Sequence, residues 1–275
     1  KTENYIKNRY KKKFKKIISV KSRNNFEIEN RIKDLSDLNI KLTDNSKYVW
    51  FMSDKDRILL ENHDFLKMIL KKNISGLTMD YHSLKKPFSA DKNRNKIFLF
   101  NLEKGVHKLG LISSQIINKR LFIKYSKKSK LSAYYLGEII VNIIIKEKKW
   151  FFLNSKIIGY THLDKDKIRN KLNNKYLNYR LEQEFGFYIL KLNKILSIVD
   201  YPNKYKIIKK AFFKNVISWL FLYKKEEDKL IYSKKIFKLN QKLVNFKVIK
   251  LILFFSILIP NFLIDMIKKL QNKIL

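Results

Sequence analysis

Residues 48–57 read YVWFMSDKDR, an apolar run that ends in two carboxylates. The first five residues are aromatic or aliphatic and show no polar alternation, which predicts a strand buried on both faces, as in the central sheet of an α/β fold. Asp54 and Asp56 follow this strand directly. Open α/β sheets bind ligands outside the carboxyl ends of their strands, so the stretch predicts both a fold class and a candidate site.

Patterns on either side of this strand alternate between helix and strand. Apolar residues recur at helical spacing in 26–42, 58–72 and 131–145, and runs of strand length lie at 76–81 and 150–153. This alternation predicts a mixed sheet flanked by helices within residues 1–162. Residues 163–240 have mainly helical periodicity, which predicts a helical extension of the sheet domain.

Residues 241–275 form a basic, amphipathic C-terminal segment. Its apolar run at 251–259 is shorter than the roughly 20 residues that cross a bilayer, and Lys247, Lys250 and Lys268 flank it. Two interpretations are open with equal weight. The segment is either an interfacial helix with its lysines among anionic headgroups, or a helical hairpin packed on the main domain.

The amino-acid composition restricts the kinds of metal that the chain can bind more than it restricts the possible binding partners. A net charge of +37 attracts any polyanion, but only eight of the 61 basic residues are arginine, the residue that reads guanine and phosphate in a bidentate manner. The lysine excess is typical of a solvated background from an AT-rich genome. The absence of cysteine excludes disulfides and thiolate metal sites, so any bound metal is a hard cation such as Mg²⁺ or Mn²⁺.

The acid pair has two interpretations from its spacing alone. Asp54 and Asp56 can turn toward one divalent cation that bridges a diphosphate and offsets the charge developing on a leaving group. They can instead cap a helix that begins near Arg57, where aspartate is favoured. Six glycines leave no Gly-rich phosphate loop, and the chain has no GxSxG motif.

The same stretch resembles the DxD segment of family 2 glycosyltransferases of the GT-A fold. That segment often reads Tyr-hydrophobic-Trp-hydrophobic-hydrophobic-Ser-Asp-Asp-Asp; Ser53, Asp54 and Asp56 match it, and Lys55 replaces the middle acid. The resemblance implies a GT-A-like catalytic domain, with Ser53, Asp54 and Asp56 binding a nucleotide-sugar donor. It further implies that Asp54 and Asp56 hold Mg²⁺ or Mn²⁺.

The resemblance also implies the reaction and its setting. The expected activity is an inverting transfer to a cell-surface glycan or lipid-linked acceptor, in the cytoplasm at the inner face of a membrane. Family members open with a nucleotide-binding segment far upstream of the DxD residues. Residues 16–25 (KIISVKSRNN) echo that opening but lie too close to Asp54, so we expect this N-terminal segment to be missing.

An inverting transfer needs a general base that deprotonates the acceptor hydroxyl. By its position relative to the DxD segment, Glu138 in residues 134–138 (YYLGE) is the leading candidate, and Asp80 at the end of a predicted strand is a weaker one. An exposed glutamate at a helix start is the alternative interpretation of Glu138.

Two further function classes are open. The first is a lysine-rich nucleic-acid-binding protein without catalytic activity, which would gather lysines and aromatic residues on one face. The second is a membrane-associated helical protein without catalysis, in which Asp54 and Asp56 are caps with no open cleft beside them. Nucleic acid is the less expected partner, because the lysines are spread along the whole sequence.

Overall fold

The computed structural model describes residues 46–52, 56–58, 63–83, 96–127, 135–160, 181–182, 185–243 and 245–263. All of them belong to the unit formed by Ser46–Ser129 and Tyr134–Leu275. The helix predicted at 26–42 and the expected loss of the nucleotide-binding segment lie outside the described residues.

A six-stranded mixed sheet organises the first part of this unit. Its strands are β1 (Tyr48–Trp50), β2 (Arg57–Ile58), β3 (Gly76–Ser83), β4 (Lys96–Leu99), β5 (Gln115–Asn118) and β6 (Trp150–Tyr160). The order is β1-β5-β3-β6-β2, and β4 also pairs with β6. Only the β3–β6 pairing is parallel, so β1, β3 and β6 run in one direction and the others run against them. The predicted mixed α/β sheet is confirmed at this level.

The centre of the sheet is β3 and β6, whose residues are buried on alternating sides. Helix α1 (His63–Lys71) packs Leu66 and Ile69 against one sheet face. That face presents the apolar residues Ile74, Leu77, Met79, Ile116, Leu153, Ile157 and Ile158. Burial of side chains of this size contributes about 1.5–3 kcal/mol each, so this cluster is a main source of sheet stability.

The position of β1 differs from the central strand that the sequence predicts. Among the described strands β1 is at one end of the order, and only Val49 is buried, whereas Tyr48 and Trp50 are half-buried. Their polar tips explain the difference: the Tyr48 hydroxyl donates to the carbonyl of Lys72 at 2.7 Å, and the Trp50 indole donates to that of Ser113 at 2.7 Å. Both aromatic residues cover the end of the sheet, and the polar atom of each has a hydrogen-bond partner. The apolar pattern of the sequence does not distinguish this partial burial from full burial.

Within the described residues, four helices connect and cover the strands. They are α1, α2 (Leu102–Gly105), α3 (Lys119–Ser126) and α4 (Tyr135–Glu147), with two 3₁₀ turns at Val106–Gly110 and Ile112–Ser114. α4 is apolar on most of its circumference because it packs against β6, α3, the first 3₁₀ turn and the C-terminal helices.

From residue 185 to residue 263, the described C-terminal part is mainly helical, as predicted. Helix α5 joins a π-helical segment, Gly186–Lys191, to Leu192–Ile198, and α6 joins Lys204–Ala211, Phe212–Val216 and Ile217–Glu226. They are followed by α7 (Lys229–Gln241) and α8 (Lys247–Leu258). The proposed boundary at residue 162 lies outside the described residues, and the one at residue 240 falls at the end of α7. Division into separate domains stays a prediction.

Helix α8 packs on α6 and α7 through one side only. Ile249, Leu253 and Ser256 are buried there. Lys224 of α6 donates to the carbonyl groups of Ser256, Ile257 and Ile259, which satisfies backbone acceptors that a helix end otherwise leaves open. Within the described ranges, no helix combines the length and apolar character that spanning a bilayer requires.

Candidate functional site

The predicted acid pair falls between β1 and β2 in the sequence, and the structure describes Asp56, which directly precedes β2. β1 and β2 are at opposite ends of the order, four strand spacings apart, which is about 19 Å. Trp50 and Leu77 both pair with Ile116, and Leu77 pairs with Phe151. β1 therefore ends level with the beginnings of β3 and β6.

Arg57 pairs with Gly159 near the end of β6, and this puts the start of β2, with Asp56 directly before it, at the edge where β3 and β6 finish. We call this edge, defined by Ser83 and Tyr160, the carboxyl edge.

Asp56 is the member of the predicted pair that the structure describes. It immediately precedes β2, is half-buried, and has a buried Oδ2 atom without a hydrogen-bond partner in the described part of the chain. A buried carboxylate oxygen without a partner is costly, and a divalent cation would satisfy it. This oxygen fits the predicted Mg²⁺ or Mn²⁺. Ser53 and Asp54 lie outside the described residues, so the two-carboxylate geometry stays a prediction.

Asp80 lies on β3, where the register with β6 shifts on both sides of it. Its Oδ1 atom is 3.1 Å from the ammonium of Lys108, and both side chains are about one-quarter exposed. Lys108 also lies over the ring of Phe152, 4.2 Å from its centre. Asp80 is therefore accessible and held in place by a cation, but it is separate from Asp56 in the sheet by the width of β6.

Glu138 is in the first turn of α4, and its carboxylate accepts a hydrogen bond from Lys191 of α5. Its side chain is only 16% exposed, so the interpretation as an exposed glutamate at a helix start is wrong. The ion pair joins the sheet-packed helix to the C-terminal helices. The sequence carries no signal for this partner, because 53 positions separate the two residues.

A buried polar network that the sequence analysis missed connects β3, β5 and β6. The Trp150 indole donates to the Thr78 hydroxyl at 2.8 Å, and this hydroxyl donates to Gln115 Oε1 at 2.7 Å. Gln115 Nε2 donates to the Ser114 hydroxyl and to the Lys108 carbonyl. The network holds the 3₁₀ turn that carries Lys108 against the sheet, so it positions the cation beside Asp80. Thr78, a polar residue between the apolar Leu77 and Met79, is the one signal in the sequence.

His107, on the same 3₁₀ turn, is half-buried in a basic environment. Its Nδ1 atom is buried and has no hydrogen-bond partner among residues that the structure describes. Burial, followed by the charges of Lys210, Lys108 and Lys214, lowers the pKa of His107 from 6.5 to about 4. The imidazole is consequently neutral at pH 7. In this form one ring nitrogen can donate a hydrogen bond and the other can accept one.

Comparisons with known proteins give no relative for this chain: no family model matches it, and no curated protein matches it. The family suggested by residues 48–57 therefore rests on that local motif and on the chemistry of the residues around the carboxyl edge.

Proposed function

We propose that this chain is a metal-dependent, inverting glycosyltransferase that moves a sugar from a nucleotide-sugar donor to a cell-surface glycan or lipid-linked acceptor. The observation that carries the proposal is Asp56, whose buried Oδ2 has no partner in the described part of the chain and which directly precedes β2 at the carboxyl edge. Carboxylates at this edge of an α/β sheet have the right surroundings for a phosphate-bound cation.

Each residue has a defined role in this proposal. Asp54 and Asp56 hold Mg²⁺ or Mn²⁺, which would neutralise the donor diphosphate as charge develops on it, and Ser53 contacts the donor. A general base removes the proton from an acceptor hydroxyl while its oxygen attacks the anomeric carbon. The bond to the nucleoside diphosphate breaks on the opposite face, and the configuration inverts.

Glu138 and Asp80 are both candidates for the base, and each already has a lysine partner. Asp80 is near the carboxyl edge on β3, whereas the carboxylate of Glu138 points to Lys191 in the helical part. If Asp80 is the base, Asp80→Asn lowers kcat by about 10²–10⁴-fold, and Glu138→Gln has a small effect. The reverse result identifies Glu138.

The metal site can be tested by calorimetric titration of the chain with nucleoside diphosphates, with and without Mn²⁺. We expect Asp54→Asn or Asp56→Asn to remove the Mn²⁺-dependent part of the affinity and to abolish transfer while the fold is retained. Asp64→Asn is the matched control, because Asp64 is 98% exposed and pairs only with Lys67 one helical turn away among the described residues. If both variants keep nucleoside diphosphate affinity and transfer activity within a few-fold of the parent, the proposed metal role is wrong.

The proposal includes a position at the inner face of a membrane. Support comes from α8, which exposes Leu251, Phe254, Phe255 and Leu258 on the side away from its buried residues. Neither α7 nor α8 contains an acidic residue, so this surface suits anionic headgroups. Phe254→Asp should reduce cosedimentation with phosphatidylglycerol vesicles, and Phe98→Asp, an equally exposed residue on β4, should not. Equal binding of both variants contradicts this localisation.

Nucleic-acid binding is the second candidate, and the lysine distribution does not support it. Each of α1 to α8 carries at least one exposed lysine, including Lys67, Lys146 and Lys234, which is the pattern of a solvated background. A mobility-shift titration with single-stranded RNA at physiological salt tests this. Saturable, sub-micromolar binding that Asp54→Asn and Asp56→Asn leave unchanged would favour the alternative over the transferase.

A further inference from the structure

A cavity of about 290 Å³ lies between α5, α6 and α7, well separated in sequence from the candidate site. This volume is near the lower end of the roughly 300–1,000 Å³ that ligand pockets occupy. One part of its lining is apolar and comprises Leu181, Phe185, Leu190 and Leu239. The other part is basic: Lys235 and Lys238 on α7 and Lys242, the residue directly after it, follow one another at spacings of three and four and share one side.

The charges around this cavity are not balanced. Lys235 is compensated, since its ammonium contacts the Tyr223 hydroxyl at 2.6 Å and the Glu227 carboxylate at 3.4 Å. Lys238 and Lys242 have no ion pair with any residue in the described part of the chain. Glu182 is the one acidic residue among the described residues that line the cavity. The cavity therefore combines an apolar wall with a surplus of positive charge.

Gly186 gives a separate reason to regard this cavity as a binding site. A Cβ atom built on Gly186, which also lines the cavity, would meet nothing within 4 Å, whereas one on Gly137 would lie 2.6 Å from the Phe187 ring. Glycine inside a helix costs stability, and packing does not require it at position 186. Its missing side chain leaves the cavity open.

We propose that this cavity binds a single-chain amphiphile with a phosphate head. The chain lies against Phe185, Leu190 and Leu239, and the head contacts the ammonium groups of Lys238 and Lys242. Both halves of the ligand are needed for full affinity, because a free phosphate makes no contact with the apolar wall and an alcohol brings no negative charge to the lysines. The inference is independent of the proposed sugar transfer and needs neither metal nor donor.

Calorimetric titration of the full chain with hexyl phosphate, hexanol and inorganic phosphate tests the proposal. We expect hexyl phosphate to bind at least about tenfold more tightly than either of the other two, because only it makes apolar contacts and charge-assisted hydrogen bonds together. Binding of hexanol with equal affinity would mean a simple apolar cavity, and equal binding of inorganic phosphate would mean a surface charge effect. Either result overturns the proposal.

Substitutions of lining residues test whether hexyl phosphate binds in this cavity. The double charge reversal Lys238→Glu, Lys242→Glu should weaken hexyl phosphate binding at least about tenfold through loss of charged contacts. The control Lys234→Glu, Lys229→Glu changes two exposed lysines of the same helix that do not line the cavity, and it should have little effect. Glu182→Gln should strengthen binding about two- to fivefold, because it removes a like charge. Equal losses in both double variants contradict a defined site.

Gly186→Leu separates ligand binding from folding. The new side chain enters open space, so the thermal midpoint should not fall, but the chain should lose hexyl phosphate binding because the cavity is filled. Gly186→Ala should keep most of the binding at the same midpoint or a higher one. A fully folded Gly186→Leu variant that binds hexyl phosphate like the parent would show that the ligand lies elsewhere.

Discussion

Trp150 donates its indole N–H to the hydroxyl of Thr78, with 2.8 Å between Nε1 and Oγ1, across the parallel pair β3 and β6. Both residues are at most 1% exposed, and the Thr78 hydroxyl in turn donates a hydrogen bond to Gln115 Oε1. Each polar atom of this relay is satisfied by the next. These buried polar groups therefore cost little folding free energy while every hydrogen bond is made. The loss of one hydrogen bond leaves a buried group without a partner and is strongly destabilising.

Replacement of Thr78 by valine interrupts the relay at constant volume. We expect Thr78→Val to lower the free energy of unfolding by about 1–3 kcal/mol, because the Trp150 N–H and one Gln115 acceptor lose their partner in a dry interior. Urea denaturation measures the change. Thr78→Ser keeps the hydroxyl and loses only a methyl group, so it should be the milder variant. Equal stability of Thr78→Val and the parent would show that water replaces the lost contacts.

Gly76 packs against the face of Trp150 at the beginning of β3. A Cβ atom at this position would lie 2.2 Å from Cζ3 of Trp150, so the buried indole would have to move. We expect Gly76→Ala to destabilise the chain by about 1–3 kcal/mol, the usual cost of overpacking a core.

The matched variant is Gly186→Ala, in a helix and facing open space. It should stabilise the chain by about 0.5–1 kcal/mol, the helix-propensity difference between alanine and glycine. Chemical denaturation of the two variants should thus give changes of opposite sign. A stabilised Gly76→Ala variant would contradict the close contact with Trp150.

His107 should make stability depend on pH in the acidic range. Its pKa is lowered from 6.5 to about 4, so the unfolded chain binds more protons than the folded chain between these values. The contribution of neutral His107 to the free energy of unfolding is fully present above pH 6.5, and it is lost as the pH falls toward 4. The charges that face the imidazole are Lys108 on its own turn, Lys210 and Lys214 on α6, and Asp80 on β3.

The variant His107→Asn removes this titration. Its loss of stability between pH 7 and pH 4.5, followed by urea midpoints, should be smaller than that of the parent. Nuclear magnetic resonance can follow the His107 ring directly. A midpoint near 6.5 in the folded chain would contradict the buried, basic environment.

Lys148 joins α4 to β6 with a backbone φ of 53°, a left-handed conformation that side chains with a Cβ atom disfavour. Lys148→Gly should raise the free energy of unfolding by up to about 1 kcal/mol, because glycine adopts this conformation without the steric cost. Lys149→Gly, at the next exposed position, which has no such φ, is the control and should give no gain. Thermal denaturation of both variants checks the sign, and a lower midpoint for Lys148→Gly contradicts it.

The sequence alone determined the elements whose signals are local. Helical periodicity at 131–145 and the apolar run at 150–153 correspond to α4 and the start of β6, and the start of the apolar run at Tyr48 corresponds to the start of β1. Side-chain pattern and capping act between neighbours along the chain, so they can be read before any tertiary contact is known. The acid pair at 54 and 56 was found in the same way, and its role as a metal site stays a prediction.

Only the tertiary structure decided how distant residues meet. It put β1 at an end of the described sheet, joined Glu138 to Lys191, set Lys108 beside Asp80, and left a cavity at Gly186. Strand order, ion pairs and cavities depend on which surfaces pack together, and a linear pattern does not encode that choice. The sequence does not distinguish a half-buried aromatic residue, whose polar tip has a hydrogen-bond partner, from a fully buried one. The environment that distinguishes them exists only in the folded chain.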